Sequence, residues 1–183
     1  MKKLFSLILF LLVTVMSSFA QDDKVGTFPM SYYGVVRDIY TARASGGGNM
    51  IYIQAYAKEK GTTAYLTMRP GPLCKHQSVD ELVEIRDLYV KWKKEAMDEN
   101  VSNLTLPFPI SINYCGFLWK TEEELCFCRQ YQFTPIFLVE NGKCYVYIEA
   151  RPRDTVTNME QNIYLCFANE KELDTLLSII KKY

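Results

Sequence analysis

An α+β domain is what this sequence predicts: a curved, mostly antiparallel sheet of about seven to eight strands, with two amphipathic helices packed on one face. Three observations carry the prediction. Residues 78–97 hold one clear period, with Leu82, Ile85, Tyr89, Trp92 and Ala96 recurring at three- and four-residue steps. Several shorter runs on either side alternate apolar and polar residues as half-buried strands do. Asn141-Gly142 lies between two β-rich runs, the strongest short-range hairpin signal. A striped helix buries its stripe against another layer, and strands on both sides make a sheet that layer.

The chain divides into three parts. In residues 1–20, Lys2 and Lys3 precede an apolar core from Leu4 to Met16. Ser18 and Ala20 put small residues at the minus-three and minus-one positions of a cleavage site, so this part reads as a signal peptide. Its core is too short and wrongly flanked for a membrane span. No cysteine follows the expected cut, which disfavours a lipid anchor and leaves an exported protein, periplasmic or secreted. Residues 21–31 are read as a flexible N-terminal segment and residues 32–183 as a single α+β domain. Lys2 and Lys3 leave with the signal, so 21 basic side chains become 19 against 21 acidic ones, a formal charge of −2. That balance argues against nucleic acid as a partner, which needs a clustered positive face.

Along the domain, Tyr32–Tyr40 is expected to form a first strand. Ile51, Ile53, Ala55 and Ala57 then alternate with Tyr52, Gln54, Tyr56 and Lys58, and after a turn at Lys60-Gly61 the same rule continues through Ala64, Leu66 and Met68. The aliphatic face should meet the helix and leave Tyr52, Tyr56 and Tyr65 on the other. Pro70-Gly71-Pro72 ends the strand, and a loop with Cys74 and His76 leads to the helix, where Ser78 and Glu81 form an S-x-x-E capping box. Asn100 closes it, and residues 101–109 read as a connection, because Pro107 and Pro109 block regular structure. Ser111–Trp119 alternates as a strand. Thr121–Tyr131 carries both a capping box and an alternating pattern, and the strand reading is preferred. In the 133–150 hairpin, a two-residue turn pairs Glu140 with Lys143, Val139 with Cys144 and Phe137 with Val146. Both its faces are largely apolar, which places it centrally in the sheet or in an interface. Ile163–Ala168 follows as a strand. A second helix over Asn169–Lys182 has Leu173, Leu176, Leu177 and Ile180 as its stripe.

The short two-lysine signal and the Gln21-Asp22-Asp23 start resemble the exported proteins of Bacteroidetes-type bacteria, and so does the strand-rich body. The resemblance implies export and names no function. Thr134–Lys143 is similar to the Thr-Pro strand and hairpin of thioredoxin-like domains. The C-x-x-C of that chemistry is absent, and hairpins stand where a βαβ unit belongs, so the activity is set aside.

Residues that carry chemistry are present without assembling. Six cysteines in an oxidising compartment permit disulfides. A Trp119–Glu124 pairing would put Cys115 opposite Cys128, a candidate bridge, while burial as free thiols is the plainer alternative. Cys74-x-His76 with Cys126-x-Cys128 offers soft metal ligands at spacings unlike the usual zinc knuckles, so no metal site and no cofactor is expected. One histidine, no G-x-S-x-G and no H-E-x-x-H leave no catalytic set.

The surplus lies in 13 tyrosines and two tryptophans. Aromatic faces bind sugars and protein partners through apolar contact with a polar handle. Tyr52, Tyr56 and Tyr65 are therefore the candidate ligand-binding residues, with a glycan or another envelope protein as partner. Tyrosine is also an ordinary filler of half-exposed strand positions. Asp154-Thr155-Val156 resembles the Asp-Thr-aliphatic O-glycosylation motif of exported Bacteroidetes proteins, which makes Thr155 a modification candidate. The expected function is a non-enzymatic binding or accessory domain of the cell envelope. The alternatives are a cysteine-dependent enzyme with a thiol near His76, and a self-associating structural component.

Overall fold

The computed structural model describes residues 23–43, 49–68 and 78–183. The expected signal peptide, the 44–48 glycine loop and the 69–77 loop with Cys74 and His76 lie outside them. Ten strands form one antiparallel sheet: β1 Asp23–Met30, β2 Val35–Arg43, β3 Asn49–Ala57, β4 Thr63–Met68, β5 Asn103–Pro107, β6 Ile112–Lys120, β7 Leu125–Phe133, β8 Ile136–Glu140, β9 Lys143–Ala150 and β10 Ile163–Phe167. Two helices complete the described residues, α1 Ser78–Asp98 and α2 Glu170–Ile180. The α+β class and the two helices on one face are as the sequence predicts, and the strand count is higher. The spatial order is β5–β8–β9–β10–β3–β4–β6–β7, with β2 and β1 branching from β3.

The helical stripes bury as their spacing dictates. Leu82, Ile85, Tyr89 and Ala96 of α1 and Leu173, Leu176, Leu177 and Ile180 of α2 join one core with Ile51, Ile53, Leu66 and Phe117 from the sheet. α1 rests on β6 and β9, α2 on β1 and β10, and the helices touch each other. The Tyr89 hydroxyl donates to the Cys144 carbonyl at 3.0 Å, tying the middle of α1 to β9. Trp92 stacks on Phe108 with ring centroids 4.9 Å apart and meets Phe137 edge-on. Asn100, at φ 53°, ends α1, and the Val101 N–H returns to the Ala96 carbonyl. The Glu81 carboxylate accepts from both the backbone and the side chain of Asn113, at 2.7 and 2.8 Å, tying the first turn of α1 to β6. α2 starts on a variant of the box: the Asn169 side chain accepts from the Glu172 N–H, and the Glu172 carboxylate accepts from the Asn169 side-chain amide and from the Ala168 N–H.

Three further expectations are corrected. Residues 23–30, read as flexible, form β1, because Phe28 and Met30 at its end bury completely and seven of its residues register with β2. Residues 103–107, read as a connection, form β5, an edge strand on β8 that tolerates Pro107 at its end. Residues 32–33 belong to a short 3₁₀ turn before β2. The hairpin is as predicted, with Glu140 opposite Lys143, Val139 opposite Cys144 and Phe137 opposite Val146. Asn141 and Gly142 both have positive φ, as the tight turn requires, and β9 lies centrally between β8 and β10.

The four residues 121–124 make a turn. Thr121 Oγ1 accepts from the Glu124 N–H at 3.0 Å, and the Thr121 N–H donates to the Glu124 carbonyl. Residues 125–133 then run as strand, as preferred. Trp119 therefore faces Cys126 instead of Glu124, a shift of two over Phe117–Lys120 that grows to three at Cys115, where the pairing is irregular.

Candidate functional site

Alternation along β3 sends Ile51, Ile53 and Ala55 into the core and Tyr52, Gln54 and Tyr56 to the side without helices, with Tyr65 opposite Gln54. The three expected tyrosines thus share a face and are half-buried. They fall into two groups, because one edge of β3 is divided: β2 pairs with residues 49–53 and β10 with residues 56–57. Tyr52 and Tyr65 lie over the β2 side and Tyr56 over the β10 side.

The first group gains Tyr40, which stands opposite Tyr52 and meets the Tyr65 ring edge-on at 6.1 Å. Asp38 lies among these rings. Its carboxylate accepts from the Tyr40 hydroxyl at 3.0 Å and pairs with Lys24 at 2.8 Å, while its backbone N–H donates to the Gln54 side-chain oxygen. The Lys24 contact is the main cause holding the Asp38 carboxyl below the usual carboxylate range. Aromatic planes, a carboxylate, an amide and an ammonium group therefore share one patch. Such a mixture is chemically able to stack on an apolar surface and to hydrogen-bond hydroxyl groups. Tyr40, Asp38 and Gln54 were missed as site residues. The signal was present in the expected 32–40 strand, but only the pairing partner of β2 brings Tyr40 to Tyr52.

The second group is packed. Tyr56 stacks on Tyr33 with centroids 4.6 Å apart and rings within 2° of parallel, has Tyr164 at 6.4 Å, and carries the Arg37 guanidinium 5.9 Å from its centroid. Arg37 Nε is buried without a hydrogen-bond partner. Tyr32 of the same 3₁₀ turn meets Tyr145 edge-on at 5.1 Å. Burial is the leading cause raising the phenols of Tyr33 and Tyr147, whose hydroxyls share a hydrogen bond, and it pushes Tyr147 up to about 12. Stacked on Tyr33 and close to Tyr164 and Arg37, Tyr56 packs into the seam between β2 and β10.

The described cysteines, Cys115, Cys126, Cys128, Cys144 and Cys166, are all free. The expected Cys115–Cys128 bridge is absent, since the register shift sets Cys115 opposite Tyr131 and Cys128 opposite Phe117. The Cys115 thiol donates instead to the Tyr131 carbonyl at 3.0 Å. Burial is the leading cause raising every one of these thiols, and it pushes Cys115 and Cys166 up to about 12. No group of three or more metal-ligating side chains occurs among the described residues. No helix among them is long and apolar enough to cross a membrane.

Thr155 is exposed in the turn at 155–157. Its neighbour Asp154 is buried, and the Asp154 carboxylate accepts from the N–H groups of Phe127, Val156 and Thr157 at 2.7, 2.7 and 3.0 Å. The turn that presents Thr155 is thus fastened to β7. Comparisons with protein-family models, curated proteins and solved structures return no match for this chain.

Proposed function

We propose that this chain is an exported, non-enzymatic binding module of the cell envelope, and that the Tyr40–Tyr52–Tyr65 face takes a glycan. One observation carries the reading: three half-buried tyrosines from adjacent strands lie on the helix-free side of the sheet, with Asp38 hydrogen-bonded to Tyr40 and to Gln54, which stands opposite Tyr65. Sugars present apolar C–H faces and hydroxyl edges, and this patch offers a surface for each. Export rests on the signal-type pattern of residues 1–20. The cysteine-enzyme alternative gains no support from the described thiols, which burial disfavours as thiolates.

Titration calorimetry against a panel of neutral and acidic polysaccharides tests the proposal. At least one glycan is expected to bind, and Tyr52→Ala and Tyr65→Ala are each expected to weaken it by about tenfold, in line with roughly 1–2 kcal/mol per aromatic contact. A panel that stays silent, or a bound glycan indifferent to both substitutions, overturns it.

A further inference from the structure

We propose that a second site, in the groove between the C-terminal half of α1 and the β8–β9 turn, binds a small organic carboxylate with an apolar body. The groove encloses about 420 Å³ and is walled by Lys93 and Met97 of α1, Tyr32 of the 3₁₀ turn, and Lys143 and Tyr145 of β9. That volume falls within the range of small-molecule sites. It belongs to strands other than those of the Tyr40 face, so the two readings stand or fall separately.

Charge selects the head of the ligand. Lys93 and Lys143 both line the groove, no carboxylate does, and neither lysine makes an ion pair among the described residues. Glu140 lies opposite Lys143 in the hairpin register, yet forms no salt bridge with it. Lys93 is half-buried, with its ammonium 5.9 Å from the Tyr89 ring centroid. Two lysines line one concavity whose wall holds no carboxylate, an arrangement that favours an anion there even with the Glu140 charge acting on Tyr32 and Tyr145 from outside that wall.

Exposed apolar surface selects the body. Lys93 and Met97 are four residues apart, so they share a row of the helix surface with Tyr89. Tyr89 is buried, whereas Met97 is 61% exposed. Across the groove, Tyr32 is 40% exposed and packs edge-on against Tyr145. A thioether and a phenol ring left open beside two cations suit a short acyl or aryl chain that ends in a carboxylate.

The test uses 4-phenylbutyrate, its neutral twin 4-phenylbutanol, and acetate as the head alone, followed by amide shifts in nitrogen–proton correlation spectra. Phenylbutyrate is expected to give saturable shifts at Gly142, Lys143 and Tyr32. The alcohol and acetate should each bind about tenfold more weakly, and raising salt should weaken the acid. Lys143→Gln should raise the phenylbutyrate Kd about fivefold at unchanged melting temperature, since Lys143 is exposed and unpaired. Equal binding of acid and alcohol, shifts confined to other residues, or no saturation overturns the proposal.

Discussion

Arg86 of α1 and Asp174 of α2 meet in a two-pronged ion pair, with Arg86 Nε donating to Asp174 Oδ1 at 2.7 Å and Nη2 donating to Oδ2 at 3.1 Å. The residues lie 88 positions apart, and the pair fixes the two helices against each other as they cover the sheet. Asp87 supplies a second carboxylate to Arg86 at 3.1 Å. The paired geometry restricts rotation as well as adding charge attraction, which distinguishes it from a lone surface contact.

Asp174→Asn is expected to destabilise the fold by about 1 kcal/mol at neutral pH, the upper range for a partly exposed pair with good geometry. Arg86 holds the Asp174 carboxyl below the usual range through its hydrogen bond. A depressed folded-state value means the contribution is present above the unfolded value near ~3.9 and is lost as pH falls through the folded one. Melting curves of the parent and the variant should therefore differ at pH 7 and converge as the pH falls through the folded-state value, and they should converge in strong salt as well. A gap that persists in acid would mean that the substitution acts by something other than the charge.

Gly116 permits the close approach of β4, β6 and β7. A Cβ built there would lie 2.7 Å from Thr67 Oγ1 and 2.9 Å from the Cys128 carbonyl oxygen. Thr67 is 2% exposed, so its side chain has little room to turn. Gly116→Ala is expected to cost roughly 2–3 kcal/mol, read as a lower denaturant midpoint at unchanged slope. Adding Thr67→Ala should recover only part of the loss, because the Cys128 carbonyl is backbone and stays in place. Full recovery would show that the hydroxyl alone set the limit.

What could be read from the residues follows from how local each cause is. The stripe of α1 and the Asn141-Gly142 turn are written in consecutive residues, and both form as read, down to individual hairpin pairs. β1 was missed because most of it is polar or half-exposed and its order comes from pairing with β2. β5 was missed because Pro107 and Pro109 outweighed the short alternation of Leu104 and Leu106 with Asn103 and Thr105, although an edge strand tolerates a proline at its end. The β6–β7 register beside the turn failed by two because Thr121 closes the turn onto Glu124 and removes both from the ladder. The face of Tyr52, Tyr56 and Tyr65 was legible from parity alone. Their division was not, because it depends on β2 and β10, distant in sequence, sharing one edge of β3.

Asp154 fastens the 151–162 segment across β7, an end strand of the sheet. Its buried carboxylate takes the Phe127 N–H, which would otherwise lie open on that edge, together with the two turn N–H groups. The Tyr131 hydroxyl accepts from the Arg151 N–H, a second tie to the same strand. Asp154→Ala is expected to cost roughly 2 kcal/mol, because one charged acceptor serving three donors is lost. Hydrogen exchange should accelerate first at Phe127, Val156 and Thr157. Asp154→Asn, which keeps one acceptor oxygen, should fall between. Accelerated exchange throughout α1 instead would mean that the segment serves the whole core and not the edge it covers.

The five described thiols test part of the cysteine-dependent alternative; Cys74 and His76, around which that alternative is framed, lie outside the described residues. An enzyme thiol must ionise near neutral pH, yet burial pushes Cys115 and Cys166 up to about 12 and raises Cys126, Cys128 and Cys144 in the same direction. Moving a thiol from about 9 to about 12 cuts its thiolate population by roughly a thousandfold at pH 7. Cys128 is half-buried and the other four are buried, so access compounds the effect. In the native protein all five should therefore alkylate far more slowly than a model thiol at pH 7, with Cys128 first, and all should react together once denaturant opens the fold. Mass mapping of the modified peptides assigns each site. Rapid native alkylation at Cys115, Cys126, Cys144 or Cys166 would require that residue to be both accessible and ionised, and would return the enzyme reading to the front.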